Sequence, residues 1–108
     1  SVIQYIENYD EILNKIIKVS KKYIFFSATN FYDKNDTSLE KIVVKQTNLL
    51  PKKLFCFFFE FESFIKKFYD NKFEIVFKEK NKTDNVNYKN FENLLKNTIY
   101  TDLLISRN

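Results

Sequence analysis

Not one of the 108 residues is glycine. Average usage would place about seven or eight glycines in a chain this long. The glycine-rich loops that cradle phosphates and the tight turns that bind dinucleotides are therefore excluded outright. Histidine is absent as well, and Cys56 is the single cysteine. Ser-His-Asp and Cys-His catalysis are removed with it, and no zinc site of the usual type can be built, so no metal is expected. Whatever chemistry remains must use carboxylates, lysine, tyrosine or a partner segment.

A chain of this length makes one hydrophobic core and not two. Hydrophobic residues are 44% and charged residues 30%, with Phe, Ile, Leu and Tyr spread along the whole length, which rules out the disordered class. Lys (17), Asn (13), Phe (13) and Ile (11) are abundant, whereas Ala, Pro, Arg and Cys occur once each. These inflated types are those of A/T-rich codons, so the net charge of +4 speaks of solubility before it speaks of a partner. One cysteine forms no internal disulfide and no signal peptide is visible, which fits a reducing cytoplasm. The longest apolar run, around Leu54 to Phe61, contains Glu60 and is far short of the roughly 20 residues that span a bilayer.

The clearest helical periodicity runs from about Asn8 to Ser20, where Tyr9, Ile12, Leu13, Ile16 and Ile17 share one face. Asn8 stands at the N-cap with Glu11 three residues on, an imperfect capping box. Ahead of it, Val2 and Ile3 read as the tail of a strand. Tyr23-Ile24-Phe25-Phe26 reads as a strand buried on both faces of a parallel sheet, giving a strand-helix-strand unit. Thr29 to Asp36 reads as a loop, and Lys41 to Lys45 as a short edge strand or an extended excursion. Phe61, Phe64, Ile65 and Phe68 predict a second helix over about Glu60 to Tyr69. Asp70 to Lys72 is a turn, and Phe73 to Lys78 alternates as a strand. Lys80 to Asn90 is a loose connection, Phe91 to Leu95 a turn of helix, and Thr98 to Ser106 a closing strand, antiparallel to the one before it.

Against this order, Ser1-Val2-Ile3-Gln4-Tyr5-Ile6-Glu7-Asn8 resembles the end of the fourth strand and the following turn of class I, Rossmann-like methyltransferases. It is especially similar to a bacterial methyltransferase family with the pattern S-x-L-Q-Y-I/L-x-D at this place. Tyr23 to Phe26 resembles the fifth strand, and Thr29 with Phe31 sits where that family has a Thr-Pro-Phe-like turn. Gln46 stands where the family carries a Gln ahead of its aromatic stretch. Phe57-Phe58-Phe59 resembles the aromatic lead into the last helix, and Asp102 to Arg107 the terminal strand. Asn30 replaces the usual Pro, and Ala28 stands where a basic residue is common.

The resemblance covers essentially all of the chain but only the second half of the family's domain. It implies an α/β fold: the C-terminal half of a methyltransferase sheet, with parallel strands and crossover helices ending in an antiparallel pair. Residues 1–108 would be a single partial domain. The cofactor implied is S-adenosylmethionine, with Gln4 and Tyr5 beside it. Ser27, Thr29, Asn30 and Gln46 would face the acceptor, a glycan or a small molecule, because ligands of open sheets lie outside the carboxyl ends of the strands. The glycine-rich turn and the acidic residue that grip the cofactor belong to the other half, so this chain alone is expected to be inactive.

Each of these residues also has a plainer reading. Tyr5 suits the rim of a core, and Gln4 suits any polar turn. Glu7, Glu60 and Glu62 are read as solvated helix charges rather than an acid-base pair. The Phe55 to Phe61 cluster is read as packing of a helix on a sheet more than as an acceptor wall, and Cys56 as a small buried hydrophobe. Lys pairs at 21–22, 52–53 and 66–67 raise a nucleic-acid surface as the weakest alternative. A free-standing interaction module is the stronger one. A half-sheet exposes an unpaired edge, so the isolated chain is expected to self-associate.

Overall fold

A computed structural model of the chain describes residues 3–33, 42–46, 54–81 and 99–108; for 42–46, 54–55 and 99–100 it describes the backbone. Five strands form one sheet: β1 (Tyr23–Tyr32), β2 (Ile42–Gln46), β3 (Leu54–Glu60), β4 (Phe73–Lys80) and β5 (Ile99–Arg107). Helices α1 (Tyr9–Val19) and α2 (Phe61–Tyr69) complete the layer above it.

The strand order is β2-β3-β1-β5-β4. β1 and β3 are parallel, whereas β2 with β3, β1 with β5 and β4 with β5 are antiparallel. It follows that β1, β3 and β4 run one way and β2 and β5 the other. α2 is thus a crossover between β3 and β4, with β1 and β5 lying between them. The antiparallel final pair and the short edge strand follow the sequence expectation. The sheet as a whole is mixed rather than a parallel sheet with a closing hairpin.

α1 forms because its apolar residues recur at helical spacing: Leu13 and Ile17 are buried, and Tyr9, Ile12 and Ile16 are packed against the core. Asn8 does not cap the helix through its side chain; its Nδ2 donates to Glu11 Oε2 at 3.1 Å instead. Asp10 and Glu11 in the first turn and Lys18 in the last complement the helix dipole. At α2 the cap is built: Glu60 Oε2 accepts from Ser63 N, and Oε1 from the Ser63 hydroxyl, both at 3.2 Å. Lys67 Nζ reaches Asp10 Oδ1 at 2.9 Å and ties the two helices together.

Both helices cover the same sheet face. Phe59 is touched by Tyr9 of α1 at 4.9 Å between ring centroids and by Phe64 of α2 at 5.2 Å. Phe26 meets Phe64 and Phe68 at 5.2 and 5.5 Å, and Phe31 meets Phe64 at 4.9 Å. Each such ring taken fully out of water stabilises the fold by roughly 1.5–3 kcal/mol. The Phe cluster is therefore core, with Phe57, Phe58 and Phe59 all buried. Arg107 clasps the layers: Nη2 donates to Ile17 O at 2.6 Å and Ser20 O at 3.0 Å, while the guanidinium lies 4.4 Å over the Phe73 ring.

Four expectations need correction. Ile3–Tyr5 is a single 3-10 turn, not a strand tail, because Gln4 turns inward to reach β1. Tyr23 to Phe26 is not buried on both faces: Ile24 and Phe26 face the helices, while Tyr23 and Phe25 are 60% and 55% exposed. Thr29 to Tyr32 continues β1 instead of opening a loop, since Phe31 and Tyr32 pair with Phe59 and Glu60. β3 is an unforeseen strand, because a run of four consecutive apolar residues after Phe55 shows no alternation. The Phe91 to Leu95 helical turn and most of the Lys80 to Asn90 connection lie outside the described residues.

Absence of glycine has a visible consequence at two positions. Ala28 (φ 49°) and Lys72 (φ 67°) occupy the left-handed region that glycine ordinarily fills without steric cost. Lys72 closes the turn after α2, its N–H donating to Tyr69 O at 3.1 Å. Ala28 sits in an irregularity of β1, where the pairing with β5 shifts between Phe26 and Thr29.

Candidate functional site

Two of the polar residues singled out in the sequence, Gln4 and Asn30, meet where β1 and β3 fork. These parallel strands pair only at Phe31–Phe59 and Tyr32–Glu60. Toward their amino-terminal ends they diverge, and the 3-10 turn Ile3–Tyr5 contacts both. Gln4, only 1% exposed, places its Oε1 3.2 Å from the backbone N–H of Asn30 and accepts its hydrogen bond. A side chain thereby takes the place of a strand partner, which a buried N–H requires.

Asn30 is 3% exposed. Its Nδ2 donates to Cys56 Sγ at 3.1 Å, and its Oδ1 has no hydrogen-bond partner. Thr29 is fully buried, with its hydroxyl at 3.5 Å from Ser27 O. Ser27 is exposed. Tyr5 is half-buried next to Gln4. Gln46 pairs by its backbone with Leu54 at the far end of β3, away from the Phe59 end that meets β1; its side chain lies outside the described ones. Gln4 and Asn30 are thus brought together by the turn and β1, Ser27 and Thr29 lie on β1 beside Asn30, and Gln46 is on the outer strand.

A second polar group, unforeseen in the sequence, lies across β1 and β5. Asp102 Oδ1 accepts from Ala28 N at 2.9 Å and from Asn81 Nδ2 at 2.8 Å. Asn81, the Ala28 N–H and the Ser27 side chain hold the Asp102 carboxyl below the usual carboxylate range, against a smaller opposing effect of burial. No sequence signal marks it, since Asp102 and Ala28 are 74 residues apart.

The titrating groups here are not poised for catalysis. Burial pushes the Cys56 thiol up, outweighing its Asn30 contact, so it stays protonated and is no nucleophile. Burial, with Asp10 adding to it, also pushes the Tyr9 phenol up, which leaves a hydrogen-bond donor rather than a base. Asp102 is ionised with its donors in place, the opposite of a raised, proton-accepting carboxyl. Among the described residues no group of three His, Cys, Asp or Glu could hold a metal ion. None of their helices is long and apolar enough to cross a membrane.

Three clefts among the described residues lie along β1 and β3. A cleft of about 210 Å³ opens between α1, β3 and α2, lined by Tyr9, Asp10, Phe57, Glu60, Ser63 and Lys67 among others. A second, of about 160 Å³, lies by Phe31, Tyr32, Phe61, Glu62, Lys78 and Thr101; here Lys78 Nζ stands 3.6 Å over the Phe61 ring. A third is an apolar groove of about 340 Å³ along α1 and the start of β1. Gln4, Thr29 and Asn30 line none of these three. Lys66 and Lys67 are engaged by Asp70 and Asp10 at 2.9 Å each, which subtracts one of the lysine pairs from any phosphate-binding surface. No family model, no curated protein and no solved structure matches this chain.

Proposed function

We propose that this chain is the acceptor-side half of an S-adenosylmethionine-dependent methyltransferase, inactive until a cofactor-binding half completes it. The observation that carries the reading is the Gln4–Asn30 hydrogen bond. It joins the two short segments in which the resemblance is concentrated, two residues before β1 ends at Tyr32, and open α/β sheets bind their ligands beyond the carboxyl ends of their strands.

The residues present do not fit the cofactor by themselves. Gln4 is buried, with its carbonyl engaged by Asn30, and Tyr5 offers one half-buried ring. Glycine is absent from the chain, and with it the turn through which a backbone approaches the cofactor closely. Gln4 is therefore read as a positioning residue for Asn30, and Tyr5 and Ser27 as the residues left to meet cofactor or acceptor. Titration calorimetry of S-adenosylmethionine into the 108-residue chain should give no binding heat. The polypeptide extended through its upstream coding sequence should bind it. Tight binding by the short chain would sink the proposal.

A second reading, a protein-interaction module, is favoured by one observation. Tyr23, Phe25, Val76 and Phe77 are exposed together on the sheet face opposite the helices, with the Phe25 and Phe77 rings 6.1 Å apart. Sedimentation separates the readings: Phe25→Ser with Phe77→Ser restores a monomer only if this face is what associates.

A further inference from the structure

Among the described residues, the amino-terminal half of β1 has one edge unused. Lys22 O accepts from Arg107 N at 2.7 Å, and the register Ile24–Ile105 and Phe26–Leu103 keeps the same parity. The backbone groups of Lys22, Ile24 and Phe26 thus point to β5, and those of Tyr23 and Phe25 point the other way, by the alternation of an antiparallel ladder. Among the described residues no strand meets that second edge before Phe31. Farther along the same edge, the N–H of Asn30 is held by Gln4.

Beside the edge runs the groove of about 340 Å³, lined by Ile3, Ile12, Ile16, Ile24 and Phe26 among others. An open ladder edge with apolar walls is a template for strand addition. The opposite face at this place is apolar too, since Tyr23 and Phe25 flank the edge there. A strand seated here would have apolar residues on both faces, as strands buried in parallel sheets do. Ile3 sets its direction. It stands at the fork end of the groove, so a segment leading into Ile3 along the groove travels from the Tyr23 end toward Asn30, the direction of β1.

We infer that this edge and groove form an acceptor slot for one further β-strand, parallel to β1, apolar on both faces and leading into Ile3. The span from Tyr23 to Ser27 admits about five residues, roughly 17 Å of strand. That the strand comes from the cofactor-binding half rests on the function proposed above; the slot itself does not.

Amide hydrogen exchange by NMR tests it. The probe is a seven-residue Val/Ile/Thr extension placed directly before Ser1, with a control extension interrupted by two prolines. In the unextended chain the Tyr23 and Phe25 amides exchange fast, while those of Ile24 and Phe26 are protected. The extension slows Tyr23 and Phe25 by about tenfold or more, and the proline control does not. Phe25→Pro, which an edge tolerates, or Ile12→Glu in the groove removes the protection at Tyr23. Fast exchange at Tyr23 and Phe25 in the extended chain, with α1 still protected, overturns the slot. Protection in the unextended chain that disappears on dilution overturns it in favour of a second copy. A protected edge, with no cofactor binding once the upstream half is joined, leaves the slot standing and removes the methyltransferase.

Discussion

The Ala28 N–H donates to Asp102 Oδ1 at 2.9 Å, although Ala28 holds a left-handed φ of 49°. The irregularity between Phe26 and Thr29 takes Ala28 out of the ladder with β5. Its N–H would be left without a partner, and the carboxylate on the neighbouring strand supplies one. The only alanine of the chain is thus used where glycine is the ordinary choice.

Replacing Ala28 by Gly should raise stability by about 0.5 kcal/mol, the relief of left-handed strain being partly offset by the greater freedom of the unfolded chain. Ala28→Val should cost about 1–2 kcal/mol, since a β-branched side chain is worse placed there. Urea midpoints compared at constant slope measure both.

Acid should weaken the fold through Asp102. Its folded pKa lies below the unfolded value, so its contribution is fully present above the ordinary carboxylate range and is lost as pH falls through the folded value. Asp102→Asn should flatten the fall of Tm below about pH 4 and cost roughly 1 kcal/mol at neutral pH, modest because the group is partly solvated. Thermal scans across pH settle it; a parallel shift of the whole curve would mean that the carboxylate charge is irrelevant.

Gln4→Leu removes the acceptor of the buried Asn30 N–H. The expected loss is about 1–3 kcal/mol, with faster exchange at the Asn30 amide, read by urea unfolding and amide exchange. Gln4→Glu keeps the acceptor and should retain the slow exchange while costing stability for the buried charge.

How much of this was legible beforehand depends on the residue. α1 and α2 could be read because Leu13, Ile17, Phe64 and Phe68 repeat at the period of one helix face. β3 could not, because Cys56 to Phe59 are all apolar and a run buried on both faces carries no period. The extension of β1 through Thr29 and Asn30 was hidden for the opposite reason: both are polar, and their burial comes with distant partners, Gln4 and Cys56 for Asn30 and Thr101 of β5 for Thr29. The Gln4–Asn30 hydrogen bond carried no local signal either, because the two residues are 26 positions apart. Asp102 and Ala28 carried no local pattern, since their pairing is a property of sheet order.

Arg107→Lys should cost about 1–2 kcal/mol, although charge is kept. The planar guanidinium donates to Ile17 O and Ser20 O while lying over Phe73, and a lysine ammonium cannot do both at once. Guanidinium is itself a denaturant ion, so urea titration is the suitable measurement.

Cys56 should resist thiol reagents in the folded protein. The thiol is buried, and its pKa is raised. Modification should follow the unfolded fraction, so a labelling rate independent of added urea would contradict the burial.

The sheet order also fixes when the protein can fold. β5 is the last strand in sequence and lies between β1 and β4. During synthesis β1 and β4 therefore emerge without the strand that joins them, and α1 and α2 have no finished surface to cover. A ribosome-bound chain holds these aromatic faces open until β5 leaves the exit tunnel, a window in which chaperone capture competes with closure.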